Sequence, residues 1–126
     1  FYHPQRMQGT LMCHYRHRAH DDPLILVGLQ DITAHVDFTA MADSALAAKM
    51  QVAGYTTQAH FLLGSGLTEL VAEVEADTVQ QLELANQVKR LTLPQEMGEL
   101  FKVMALSKNF PVNMPGFMLR DLRNSL

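Results

Sequence analysis

Residues 13–22, Cys-His-Tyr-Arg-His-Arg-Ala-His-Asp-Asp, place one thiol, three imidazoles, two guanidiniums and two carboxylates in ten positions. His14, His17 and His20 recur every third residue, a spacing that suits metal ligands on one helix face. The segment is too polar and aperiodic for a helix, however, and only the isolated His35 and His60 follow. No metal site is expected. Arg16, His17, Arg18 and His20 suit instead an anionic or planar group held in a cleft, or else a loop of structural hydrogen bonds. Cys13 beside His14 lacks a visible third group to orient a nucleophile, so covalent chemistry is not expected.

A second stretch, residues 30–38, reads Gln-Asp-Ile-Thr-Ala-His-Val-Asp-Phe. In an extended chain Asp31, Thr33, His35 and Asp37 face one way, while Ile32, Val36 and Phe38 face the other. With Gln30 beside it, that polar face is either solvated or part of a cleft, where its carboxylates and imidazole could do acid/base work. Asp37 could equally cap a following helix. A third stretch, Gly64-Ser65-Gly66, resembles the start of a nucleotide-binding loop. Leu67 and Thr68 stand where a third glycine would be needed, and no acidic residue closes a following strand. A helix stop is the expected reading.

These residues need elements to hold them. Residues 10–15 suit a short strand, 16–23 a loop, and 24–36 an extended segment interrupted at Gly28. From Thr39 the pattern turns helical, with Thr39 as N-cap and Met41, Ala42, Ala45, Leu46 and Lys49 at helical spacing to a stop near Met50. Residues 51–57 read as a strand, and Thr57 caps a short helix that Gly64 and Gly66 end. Residues 68–91 contain neither glycine nor proline. There Leu67, Leu70, Val71, Val74, Leu82, Ala85, Val88 and Leu91 trace one stripe, which predicts a single amphipathic helix of roughly 36 Å. Thr92, Pro94 and Gln95 resemble a capping box for one further turn closed by Gly98, and residues 99–107, apolar on both faces, predict a strand covered on both sides. Residues 111–126 have no assignable pattern.

The 126 residues amount to one domain by length, and 48% hydrophobic with 18% charged residues is an ordinary globular composition. No apolar run approaches the 18 or more residues of a membrane span, and no secretory leader opens the chain, so a soluble protein is expected. The lone Cys13 fits a reducing compartment. A net charge of -3 gives no reason to expect nucleic acid. Residues 1–20 are basic, with Arg6, Arg16, Arg18 and four histidines, whereas 68–101 are acidic, most simply a solvated helix and a basic loop. The element order is that of an α/β domain with too few strands for a complete doubly wound sheet. Together with Phe1 as the first residue, this suggests a fragment of a longer protein.

The same stretches carry a family resemblance. GTLMCHYRHRAHDDP (9–23), GLQDITAHVDF (28–38), YTTQAHFLL (55–63) and MGELFKVMALS (97–107) resemble, in order, the motifs of the MidA-like S-adenosylmethionine-dependent methyltransferases, over nearly the whole chain. The resemblance implies the C-terminal part of a class I, Rossmann-like sheet. In that layout residues 1–38 supply acceptor-side loops and extended segments, and 39–126 supply helices and edge strands. Strands 51–57 and 99–107 form an edge pair, with the long helix inserted between them. It also implies S-adenosylmethionine as cofactor of the full-length enzyme, none for this chain, whose cofactor loop would lie upstream, and hence an inactive chain on its own.

The implied acceptor is a protein arginine, on a respiratory complex I subunit in the mitochondrial branch, with a cytoplasmic location in bacteria and a matrix location in eukaryotes. The candidate acceptor-side residues are Tyr15, Arg16, His17, Arg18, His20, Gln30, Asp31, Thr33, His35 and Asp37. Asp31 or Asp37 would pair with the guanidinium, and Tyr15 would stack on it. The competing reading is a non-enzymatic interaction or assembly module that docks through the long helix. A homodimer across the open sheet flank is a candidate assembly in either case.

Overall fold

A computed structural model of the chain describes residues 9–75, 77–110 and 113–126. The chain divides into two compact units, 1–40 and 41–126, with mixed α and β structure overall. In the first unit β1 (Met12–Tyr15), β2 (Arg18–His20) and β3 (Asp31–Thr33) form an antiparallel sheet in the order β2-β1-β3.

Residues 16–23 are therefore not all loop. The chain reverses at Arg16 and His17, both at positive φ (48° and 64°), and returns as β2 with Tyr15 opposite Arg18. Two central residues at positive φ give a turn whose twist matches the flanking strands. The usual Asn-Gly signal is missing, which hides this hairpin in the sequence. Residues 24–36 are likewise extended only at β3. The run before it folds into turns through Leu26 (φ 51°) and Gly28 (φ 79°). The Gln30 side-chain amide donates to the carbonyls of Pro23 (3.2 Å) and Ile25 (2.7 Å), and Leu29 N donates to Leu26 O (2.9 Å). With these backbone groups satisfied locally, Leu24 and Val27 project into solvent, 83% and 74% exposed.

Helix α1 (Phe38–Ala47) starts two residues earlier than the Thr39 cap predicts. Asp37 is the cap, its carboxylate accepting from Ala40 N at 2.9 Å. The helix ends at Ala47, three residues before the expected stop near Met50. Met50 N donates to Ala45 O and Lys49 N to Leu46 O, with Lys49 at φ 56°, the paired bonds of a Schellman stop.

In the second unit β4 (Gln51–Thr57) and β5 (Lys102–Ser107) pair antiparallel, from Gln51 opposite Ser107 to Thr57 opposite Lys102, with a bulge between Val52 and Gly54. β5 begins later than residue 99, because Phe101 N is drawn back to Met97 O and the Lys102 ammonium to Glu99 O. Its residues are half-buried on both faces up to Leu106, and Ser107 is buried.

Thr57 ends β4 and caps α2 (Gln58–Gly64), its hydroxyl within 2.7 Å of His60 Nδ1 and 3.4 Å of His60 N. Gly66, at φ 93°, separates α2 from α3 (Leu67–Ala72). The single long helix is a misreading: α3 ends at Ala72 and α4 runs Thr78–Thr92, with Ala76 outside the described residues. Glu69, Glu73 and Asp77 follow one another at i,i+4, which repels along a continuous helix. Asp77 is worth more as a cap, accepting from Gln80 N at 2.9 Å. The predicted stripe shifts accordingly. Leu84, Val88 and Leu91 are the half-buried face of α4, whereas Leu82 and Leu70 are exposed. After α4, residues 94–100 form turns in place of the predicted extra helical turn.

The core of this unit lies where α2 packs against β4 and a 3-10 turn at Pro115–Phe117. The Phe61 and Phe117 rings meet at 5.3 Å and 59°. Gly54 leaves room for the Phe117 ring, and Gly116 for the Phe61 ring. Beyond it Leu122 N donates to Tyr55 O (2.7 Å), and burial pushes the Tyr55 phenol above its usual range. Arg123 bonds Asp121 (2.6 Å), which holds that carboxyl below the ordinary carboxylate range, and reaches Val52 O. Pro111 and Val112, in the stretch without a sequence pattern, lie outside the described residues.

Two positions test this packing. Gly98 N donates to Leu93 O, its carbonyl accepts from Ala59 N (both 3.0 Å), and a Cβ there would collide with the Thr92 carbonyl. Gly98→Ala should cost about 2 kcal/mol or more in a urea titration, and an unchanged midpoint would exclude this contact. Thr56 is fully buried, and its hydroxyl has no hydrogen-bond partner among the described residues. Thr56→Val should raise stability by about 1 kcal/mol in the same assay, because an orphaned buried hydroxyl is replaced by a methyl of the same shape; a loss of that size would show that the hydroxyl is bonded.

Candidate functional site

The predicted acceptor-side residues share the first unit's sheet but not one face of it. Directly paired residues lie on the same face of an antiparallel pair, and neighbours along a strand alternate. Cys13 opposes both His20 and Ile32, and Tyr15 opposes Arg18, so one face carries Cys13, Tyr15, Arg18, His20 and Ile32. His14 opposes both Ala19 and Asp31, and Met12 opposes Thr33, so the other face carries Met12, His14, Ala19, Asp31 and Thr33.

The Cys13 face is the more covered. Cys13 is fully buried, and both ring nitrogens of His20 are shielded with no hydrogen-bond partner among the described residues. Arg16 lies over the Tyr15 ring, 5.3 Å from its centroid. That cation-π contact occupies a ring face which the resemblance reserves for an acceptor guanidinium. His17 sits in the exposed turn.

The His14 face is open: His14, Asp31 and Thr33 are all exposed. The Thr33 hydroxyl donates to Met12 O at 3.2 Å and lies 3.3 Å from His14 Nε2. Among the described residues nothing bonds the Asp31 carboxylate. His35 has left the strand, and its backbone N–H is held by the Thr10 hydroxyl at 3.0 Å. Asp37 serves as the cap of α1, and Gln30 braces the turn that leads into Asp31, its Oε1 buried without a partner among the described residues.

Of the sequence-derived candidates, then, the structure groups Asp31 with Thr33 and separates them from Tyr15, Arg18 and His20. His14 belongs with Asp31, although it is absent from the acceptor-side set. The signal that could have found it is alternation along β1, which needs the strand's two partners to be known. Ile32 and Val36, on the apolar side of the alternation, are 55% and 56% exposed.

The nucleotide-loop reading of residues 64–66 does not fit. Gly64 lies against the backbone of Pro115 and Gly116, where a Cβ would come within 2.7 Å of the Pro115 carbonyl, and Gly66 is taken up by the turn between two short helices. Among the described residues no group of three or more His, Cys, Asp or Glu side chains is placed to hold a metal ion, and no helix is long and apolar enough to cross a membrane.

Residues 1–56 match the family described as "Putative S-adenosyl-L-methionine-dependent methyltransferase". Two crystal structures from Burkholderia thailandensis are similar over 99% of this chain, each 49% identical. One is of an uncharacterized protein (TM-score 0.88) and the other has S-adenosyl-homocysteine bound (TM-score 0.89). The chain spans 34% and 33% of those two chains, about one third of their length. No curated protein matches it. These likenesses support an S-adenosylmethionine-dependent methyltransferase family for the chain.

Proposed function

We propose that this chain supplies the acceptor side of a MidA-like methyltransferase, holding a protein arginine at the His14 face while another part of the polypeptide binds S-adenosylmethionine. Among the described residues the 64–66 segment does not fit the cofactor, since Gly64 and Gly66 are used for packing and turning. The likeness to one third of a chain with bound S-adenosyl-homocysteine supports the division. The four ordered motifs support the MidA-like reading and the last part of a class I sheet, which β4 and β5 would edge. The acceptor implied by that reading is a protein arginine, on a respiratory complex I subunit in the mitochondrial branch, and the location is cytoplasmic, or the mitochondrial matrix in a eukaryote.

The observation that carries the arginine reading is Asp31: an exposed carboxylate, unpaired among the described residues, at the end of a turn stiffened by Gln30. A guanidinium presents two parallel N–H groups to a carboxylate, so one aspartate fixes both its position and its plane. Methyl transfer depends chiefly on such alignment, because the attacking nitrogen must lie in line with the methyl group. Asp37 is less suited, since its oxygen is already held by the first turn of α1.

In the full-length protein Asp31→Asn should lower the rate of arginine methylation about 100-fold, with S-adenosyl-homocysteine affinity within a factor of two; undiminished turnover removes Asp31 from the site. Titrating the 126-residue chain alone with S-adenosylmethionine in a calorimeter should show no heat of binding, and micromolar affinity would refute the proposed division.

A further inference from the structure

We infer that His14 is a proton acceptor of this site, its reactive nitrogen selected by Thr33; the inference rests on the arginine-acceptor reading above. A threonine hydroxyl has one proton to give. Thr33 gives it to the Met12 carbonyl at 3.2 Å, an atom that can only accept. Toward His14 Nε2, 3.3 Å away, the hydroxyl oxygen can then only accept, so Nε2 carries the ring proton. In the neutral imidazole the lone pair is left on Nδ1, which no described residue bonds. The relay Nε2–H to Thr33 to Met12 therefore does for this ring what a carboxylate or carbonyl does for other basic histidines: it fixes which nitrogen is basic and which way the ring faces.

Asp31, directly opposite His14 in the β1–β3 register, supplies the matching charge. Among the residues paired on this face it is the one acidic group; Met12, Ala19 and Thr33 are uncharged, and Arg18 and His20 lie on the opposite face.

The step balances with a sulfonium methyl donor bound elsewhere in the polypeptide. The guanidinium nitrogen forms a bond to the methyl carbon, and the C–S electron pair stays with sulfur. One N–H bond of the methylated group breaks, its electrons remaining on nitrogen, and the proton passes to His14 Nδ1. Asp31 anchors the acceptor and His14 removes its proton, two roles served from adjacent strands on one exposed face.

Nitrogen-15 NMR of the imidazole side chains in this chain should show His14 as the Nε2–H tautomer; an Nδ1–H ring would overturn the relay. In the full-length methyltransferase, His14→Ala should lower kcat about 100-fold, leave S-adenosyl-homocysteine affinity unchanged, abolish the acid limb of the rate profile and be rescued by added imidazole. Thr33→Val should lower kcat less and keep the acid limb, as loss of a positioning residue does. If the wild-type enzyme methylates arginine and His14→Ala matches it, or the variant keeps the acid limb without imidazole rescue, the proton-acceptor role falls and the arginine reading stands. If the wild type methylates no arginine, both fall.

Discussion

Strand β1 is flanked on both sides, and its register against β2 and β3 is the constraint on which the chemistry of the first unit depends. Because the side-chain period of a strand is two, a slip of one residue would exchange its faces completely. Cys13 and Tyr15 would then meet Asp31's side of the sheet, and His14 would move to the side of His20 and Ile32. The two-residue turn at Arg16 and His17 sets one register, and the bonds from Thr33 to Met12 and from His35 N to Thr10 support the other. The polar face is thus a product of backbone pairing, and the side chains on it acquire meaning only through their partners across the strands.

Local chemistry was legible wherever one residue decides the outcome. Thr57 caps α2, Gly64 ends it, Gly66 takes the left-handed turn beyond it, and the bonds of Lys49 and Met50 close α1 near the stop that its pattern indicates. Each depends on a short-range bond or on a φ that few residues tolerate. The pairing of 51–57 with 99–107 was also anticipated, from the family layout and not from periodicity.

Features that depend on competition or on distant partners were not legible. An unbroken run of helix formers at 68–91 satisfies periodicity, but periodicity ignores the acidic residues at i,i+4 and Asp77's preference for a cap. The Arg16-His17 turn has neither glycine nor asparagine, so the hairpin leaves no mark in composition. Alternation within 30–38 holds at Asp31, Ile32 and Thr33 and fails beyond them, where Thr10 takes the backbone of His35 and Asp37 turns to α1. Of the candidate site, the residue types were visible and their grouping was not. Nothing local marks His14, because its partners lie 17 and 19 positions away in the chain.

The turn at residues 93–101 joins two elements that look independent. Met97 N reaches back to Arg90 O and Gly98 N to Leu93 O, while the Gly98 and Phe101 carbonyls accept from Ala59 N and Gln58 N, so the end of α4 and the first turn of α2 share one set of backbone bonds. The length of α4 is consequently locked at its C-terminal end. A residue added there would rotate the turn by about 100° and pull the opening of α2 out of line. At the other end, between Ala72 and Asp77, few backbone bonds tie the chain among the described residues. In relatives of this fold, differences in helix length should therefore accumulate on the α3 side of α4, and the side facing α2 should keep a constant spacing.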